Sequence, residues 1–166
     1  MNQELRLYTF VNFYLSSIQQ GIQTAHVVHS LFTKYQSCEQ TGKPLKTMLF
    51  DWAQNHKTIV VLNGGANNDI REIMYKMECL QHTRIGYMPF EGFNEDDMSL
   101  GSILTSVGVV VPQKFYEARK VTPEGPYVYN GLDNSGSMIK EICMIYEPDT
   151  PEYTFVDMLK SCSLAR

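Results

Sequence analysis

The hydrophobic pattern changes period once in the first forty residues, and the change separates a strand from a helix. Residues 5–14, LRLYTFVNFY, mix Leu, Tyr, Phe and Val with few turn formers, the pattern of a strand buried on both faces. Ser16 and Ser17 follow, and either residue type caps a helix well. Beyond them Ile18, Ile22, Ala25, His29 and Phe32 recur at close to helical spacing, and Val28 and Leu31 widen the stripe. This predicts a long amphipathic helix ending near Ser37, with Gln19, Gln20 and Gln23 on its polar side or open first turn. His29 falls on the apolar stripe and reads as a hydrogen-bonded core histidine.

The same reading continues down the chain. Gln40–Pro44 reads as a loop and Leu45–Trp52 as a short amphipathic helix ending near Asn55. KTIVVL, residues 57–62, is β-branched and bounded by turn formers, so it predicts a strand. Asn63-Gly64-Gly65 makes a turn, and Asn67 or Asn68 is expected to cap a helix carrying Ile70, Ile73, Met74 and Met77 and ending near His82. Arg84–Phe90 predicts a third strand, Glu91–Leu100 a loop holding Glu95, Asp96 and Asp97, and Ser102–Val111 a fourth strand stopped by Pro112. Helical crossovers between strands favour right-handed parallel pairing with helices on the sheet faces. After a helical turn at Lys114–Arg119 and the punctuation Thr122–Pro126, residues 127–129 and 139–146 can pair as a hairpin around Gly131–Gly136. Pro151–Leu164 predicts a closing helix. The expectation is one domain over residues 1–166, with 119–166 an extension packed on the core.

Bulk properties narrow the classes. A chain of 166 residues with formal net charge −4 supports one substantial core and does not imply a large basic face for nucleic acid. Cys38, Cys79, Cys143 and Cys162 are widely separated, with no C-x-x-C pair, so neither a structural zinc nor any other metal site is expected. The N-terminus does not read as a signal peptide and no apolar run is long enough to span a membrane, so free thiols in a cytoplasmic setting are expected.

Candidate chemistry gathers at the carboxyl ends of the first two strands, where open α/β sheets bind ligands. The turn Ser16-Ser17-Ile18-Gln19-Gln20 offers helix-start N–H donors, hydroxyls and amides to an anion, and Asn12 ends the strand that leads into it. Asn63-Gly64-Gly65 borders the same end but no Gly-Lys-Ser/Thr follows, so it is not a P-loop. Glu95, Asp96 and Asp97 read either as solvated charge or as contacts for a cation or ribose hydroxyls. Tyr87, Tyr127 and Tyr129 read as packing tyrosines, with base stacking as the alternative. No Gly-x-Ser-x-Gly and no Ser/His/Asp order is present.

Three local patterns in order resemble the second type of peptidyl-tRNA hydrolase, the kind found in archaea and eukaryotes. The family's Gly-Lys-x-Ala-Ala-Gln-x-x-His-Ala run is similar to Gly21-Ile22-Gln23-Thr24-Ala25-His26-Val27-Val28-His29-Ser30. Its Trp, Lys-Ile-Val-Leu strand and following helix resemble Trp52, residues 57–62 and Asp69–Met77. Its Gly-Ser and Thr-rich last strand ending in Gly-Pro resemble Gly101-Ser102 and Thr105–Pro112. The resemblance covers residues 5–118 and implies a three-layer α/β/α fold with a four-stranded mixed sheet, and often a homodimer. The departures fall on the family's functional groups. Ile22 stands at the lysine and His26 at the glutamine; the acidic segment has only Glu91-Gly92, with Asp96 and Asp97 after it; Thr105 or Ser106 matches the threonine.

The main functional expectation is therefore a non-catalytic binding protein, with no cofactor, holding a nucleotide-type ligand or RNA end. Its binding residues would be Asn12, Ser16, Ser17, Gln19, Gln20, Gln23, His26, Asn63, Asp96, Thr105 and Ser106. One form of this is a viral protein in the host cytoplasm that sequesters a nucleotide defence signal. The alternatives are a divergent peptidyl-tRNA hydrolase or related esterase using His26 and Thr105, and a protein-interaction subunit that docks through the extension.

Overall fold

Alternation along the first strand sets up the whole architecture. In a computed structural model, which describes residues 3–37, 43–83, 87–97, 101–131 and 142–165, strand β1 (Leu5–Val11) sits inside a sheet and feeds a core on each face. Leu5 and Leu7 join Val27, Leu31, Tyr35, Leu49, Trp52 and Val110 on one side. Tyr8 and Phe10 join Leu62, Ile70, Ile73, Met77, Val107, Val109 and Val111 on the other. One face is covered by helices α1 (Ser17–Gln36) and α2 (Lys43–Asp51), the other by α3 (Asn67–Gln81). This is the three-layer α/β/α arrangement expected.

The four-stranded mixed sheet has the order β2-β1-β4-β3, with β2 at Thr58–Asn63, β3 at Phe90–Asp97 and β4 at Gly101–Pro112. β1 pairs parallel with β2 and antiparallel with β4, and β4 pairs antiparallel with β3. The carboxyl ends of β1, β2 and β3 therefore share one edge. Only β1 to β2 is a crossover between parallel neighbours; the connection from β2 carries the chain across the sheet to its far edge.

The chain then adds α4 (Gln113–Tyr116), a second sheet β5 (Arg119–Lys120), β6 (Tyr127–Gly131) and β7 (Ile142–Tyr146), and α5 (Pro151–Ser161). Tyr127, Tyr129, Tyr146, Phe155, Val156 and Leu159 from this region enter the same buried cluster as Phe10 and Ile70. The tail after α5 runs back along β2. Asn63 N–H donates to Ser163 O at 2.8 Å and Ala165 N–H to Val61 O at 3.0 Å, which covers an otherwise open sheet edge.

Several expectations need correction. β1 stops at Val11, so Phe13 and Tyr14, read as buried strand, are 58% and 57% exposed. Helix α1 is rotated from the expected face: Gln20, Gln23, Thr24, Val27, Leu31 and Tyr35 are buried, and Ile18, Ile22, Ala25 and His29 are exposed. Once Val27, Leu31 and Tyr35 pack on the sheet, Ile22 lies about 140° around the helix from Val27. His29 is therefore not a core residue. Gly108 fixes this rotation, because a Cβ there would meet Val27 Cγ1 at 2.2 Å. The stretch read as an acidic loop is largely strand β3, held by pairing with β4 despite turn-forming side chains. Neither Asn67 nor Asn68 is the cap of α3; both lie inside its first turn, and Asp69 instead accepts from Ala66 N–H at 2.8 Å. The calls at Gln40, at Arg84, at Cys38 and at the hairpin turn after Gly131 lie outside the described residues.

Candidate functional site

The loops that leave β1 and β2 are stitched together. Gly64 N–H donates to Val11 O at 2.8 Å, and Phe13 N–H donates to Gly65 O at 3.1 Å. Gly65 takes a left-handed φ of 82°, and its N–H is held by the Asn63 side-chain oxygen at 3.0 Å. On the other side Asn12 N–H reaches Thr105 O at 3.3 Å. Asn12 thus sits between the two neighbouring strands, fully buried, and among the described residues its amide has no hydrogen-bond partner at either the nitrogen or the oxygen.

Helix α1 begins five residues later. Ser16 is the cap: its hydroxyl receives Gln19 N–H at 3.4 Å, and the Gln19 side-chain oxygen receives Ser16 N–H at 2.9 Å. This reciprocal box leaves the N–H groups of Ser17 and Ile18 as open donors among the described residues. No acidic side chain lies in the first turn, so the positive end of the helix dipole is uncompensated there. Phe13 and Tyr14 stand beside this helix start, edge to face with ring centres 5.6 Å apart.

The far wall is the β3–β4 hairpin. Val11 pairs with Ser106, so residues 101–105 and their partners on β3 extend past the end of β1. The ladder slips between Phe93 and Asn94, leaving Thr105 as the extra residue of a β-bulge. The Thr105 hydroxyl then meets the Gln23 side-chain oxygen at 2.7 Å, and Gln23 Nε2 donates to Glu95 Oε2 at 3.0 Å. A carboxylate can only accept, so the amide nitrogen must face Glu95 and its oxygen must face Thr105, which therefore donates. Ser106 Oγ donates to Gln23 O at 3.3 Å, and the Thr9 and Thr24 hydroxyls lie 3.1 Å apart beneath.

The structure brings together Gln23, Thr105 and Ser106, with Glu95 rather than Asp96 as the acidic member; Asp96 is exposed, opposite Ser102. Gln20 is buried and donates to Leu15 O at 3.0 Å. His26 is exposed, stacked on Phe93 with ring centres 4.4 Å apart, and has no hydrogen bond among the described residues. Ile22, at the position of the family's lysine, is 49% exposed. Glu91, nearest by position to the family's acidic segment, is paired with Lys34 at 2.7 Å. Of the tyrosines considered for stacking, Tyr127 and Tyr129 are buried while Tyr87 is 58% exposed. Among the described residues no group of three or more His, Cys, Asp or Glu side chains is placed to hold a metal, and no helix is long and apolar enough to cross a membrane.

Phe13 and Tyr14 are the participants that side-chain pattern did not single out as site residues, and Glu95, read only as one of an acidic cluster, takes the place given to Asp96 among the binding residues. The two aromatics were hidden inside an apolar run; the only available signal was the polar Asn12 interrupting it. The chain matches no family model and no curated protein.

Proposed function

We propose that this protein is a non-catalytic binding protein on a peptidyl-tRNA-hydrolase-like fold, holding a nucleotide-type ligand or RNA end at the carboxyl end of β1. The observation that carries the reading is Asn12, a fully buried amide with no partner for either polar atom, beside an open helix start. An unpaired buried polar group costs about 1–3 kcal/mol, and a ligand that draws the Asn12 amide out of its buried position would relieve that cost. The open N–H groups of Ser17 and Ile18 suit a phosphate. Exposed Phe13 and Tyr14 suit a base, because every base offers a face to stack on.

Three features favour binding over turnover. The position of the family's lysine carries Ile22. Gln23 is held at both ends of its amide by Thr105 and Glu95, and the shorter of the Thr105 contacts commits its proton to Gln23 rather than to a substrate. His26 lies against Phe93 and has no carboxylate to orient it among the described residues. Sequestration of a nucleotide signal is a task that such a site can serve, and self-association is compatible with it. The test is a thermal-shift panel of mono- and dinucleotides and a CCA-ended oligonucleotide, with mass analysis of the recovered ligand. Stabilisation with the ligand recovered intact is expected. Product formation would move the protein to the esterase class, and no shift with any member would remove the reading.

A further inference from the structure

A second site lies at the opposite end of the sheet. Pro112, at the end of β4, pairs with Leu5 at the start of β1, and α4 begins at the next residue. From there α4, β5, β6 and α5 contribute the lining of a cavity of about 710 Å³. That is within the range of roughly 300–1,000 Å³ typical of small-molecule sites.

The lining is cationic in a chain of net charge −4: Arg119, Lys120 and Lys160 face a single carboxylate, Glu117. Three of these four already have a partner. Lys120 Nζ is paired with Asp157 at 2.8 Å, and Glu117 Oε2 accepts from Gln113 Nε2 at 3.0 Å. Arg119 has no hydrogen bond or ion pair among the described residues. Lys160 donates to the main-chain carbonyl of Tyr116 and has no carboxylate within pairing distance among the described residues. Burial first, and then the neighbouring charge of Arg119, push the Lys160 ammonium below its ordinary pKa. Lys160 and Arg119 are thus held near each other, and the Glu117 carboxylate, already engaged by Gln113, does not fully offset them.

Tyr116 lines the same cavity, is only 6% exposed, and its hydroxyl is buried with no hydrogen-bond partner. Burial raises its pKa, so it remains a donor at any physiological pH. Tyr129 and Val128 supply apolar lining.

We propose that this cavity binds a small organic anion, its carboxylate or phosphate oxygens seated by Arg119 and Lys160 and its apolar body against Tyr129 and Val128. A guanidinium with unused donors is suited to either oxyanion. The acidic balance of the rest of the chain favours a small molecule over a nucleic-acid backbone.

The test is calorimetric titration of the full chain at low salt with phenyl phosphate and with benzoate, with phenol as the uncharged control. Saturable binding of at least one anion and none of phenol is expected, and the tighter anion identifies the headgroup. Arg119→Gln and Lys160→Gln should each weaken it about tenfold or more, since a hydrogen bond to a charged group is lost. Asn12→Leu should leave it unchanged, which separates this site from the one at the other end of the sheet. Arg119 makes no contact that folding would miss, and circular dichroism with melting temperature checks both variants. The proposal is overturned if neither anion binds, if phenol binds as tightly, or if both glutamine variants bind like the parent. It is equally overturned if a ten-residue oligouridylate binds through Arg119 and Lys160 more tightly than either small anion.

Discussion

Replacing Asn12 by leucine separates binding from stability at a single position. Asn12 is completely buried, and neither polar atom of its amide has a partner. Its backbone is not in the left-handed region, where among the described non-glycine residues only Lys57 and Asp149 occur, so leucine meets no backbone strain. The two side chains share the same branching and number of heavy atoms. Asn12→Leu removes a polar group that folding desolvates without compensation, and should stabilise the protein by about 1–3 kcal/mol. For a chain of this length each kcal/mol moves the melting temperature by roughly 2–4 °C, so a rise of about 2–12 °C is expected. Nucleotide affinity should fall roughly five- to hundredfold, because the hydrogen bonds that the ligand supplies to the amide are gone. Differential scanning calorimetry without ligand and titration calorimetry with it read the two effects separately. A lower melting temperature would mean that Asn12 is a structural residue with partners of its own. A higher one with unchanged affinity would remove Asn12 from the site.

Other perturbations probe neighbouring parts of the account. Phe13→Ala with Tyr14→Ala should weaken nucleotide binding by about 1–3 kcal/mol per stacked base and barely change the melting temperature, as both rings are exposed. Ser17→Asp places a carboxylate at the open helix start; it should abolish binding of a phosphate-bearing ligand while folding is kept, and unchanged affinity would locate the anion elsewhere. Thr105→Val leaves the Gln23 oxygen buried without its donor and should destabilise by about 1–3 kcal/mol in urea denaturation. Asp157 is held below the ordinary 3.8 by its hydrogen bond to Lys120, so its contribution is present above that pH and is lost as pH falls through the lower folded value. The melting temperatures of Asp157→Asn and the parent should therefore converge as the pH falls through that lowered value.

The parts of the fold that were legible are those where local pattern and tertiary role agree. The run at residues 57–62 is β-branched and forms β2, and Ile70, Ile73 and Met77 mark the buried face of α3. The β3 segment FEGFNEDD has neither β-propensity nor alternation, and is a strand because β4 presents a partner edge. The rotation of α1 was misread because the helix carries two stripes. The one through Ile18 and Ile22 is the more apolar at its start, yet Val27, Leu31 and Tyr35 decide which side meets the sheet. At the site, Thr105 was recognisable as a residue, but the bulge that brings it to Gln23 depends on a register slip that no local pattern records. Phe13 and Tyr14 were absorbed into the strand because exposure of an aromatic pair after a single asparagine is a tertiary outcome.

The most direct test of the central claim is titration of the intact protein with the mono- and dinucleotide panel, followed by mass analysis of the ligand after prolonged incubation. The account predicts saturable binding by at least one member, return of that ligand unchanged, weakened binding in Asn12→Leu and loss of binding in Ser17→Asp. Accumulation of a cleaved product, or equal binding by both variants, would contradict it.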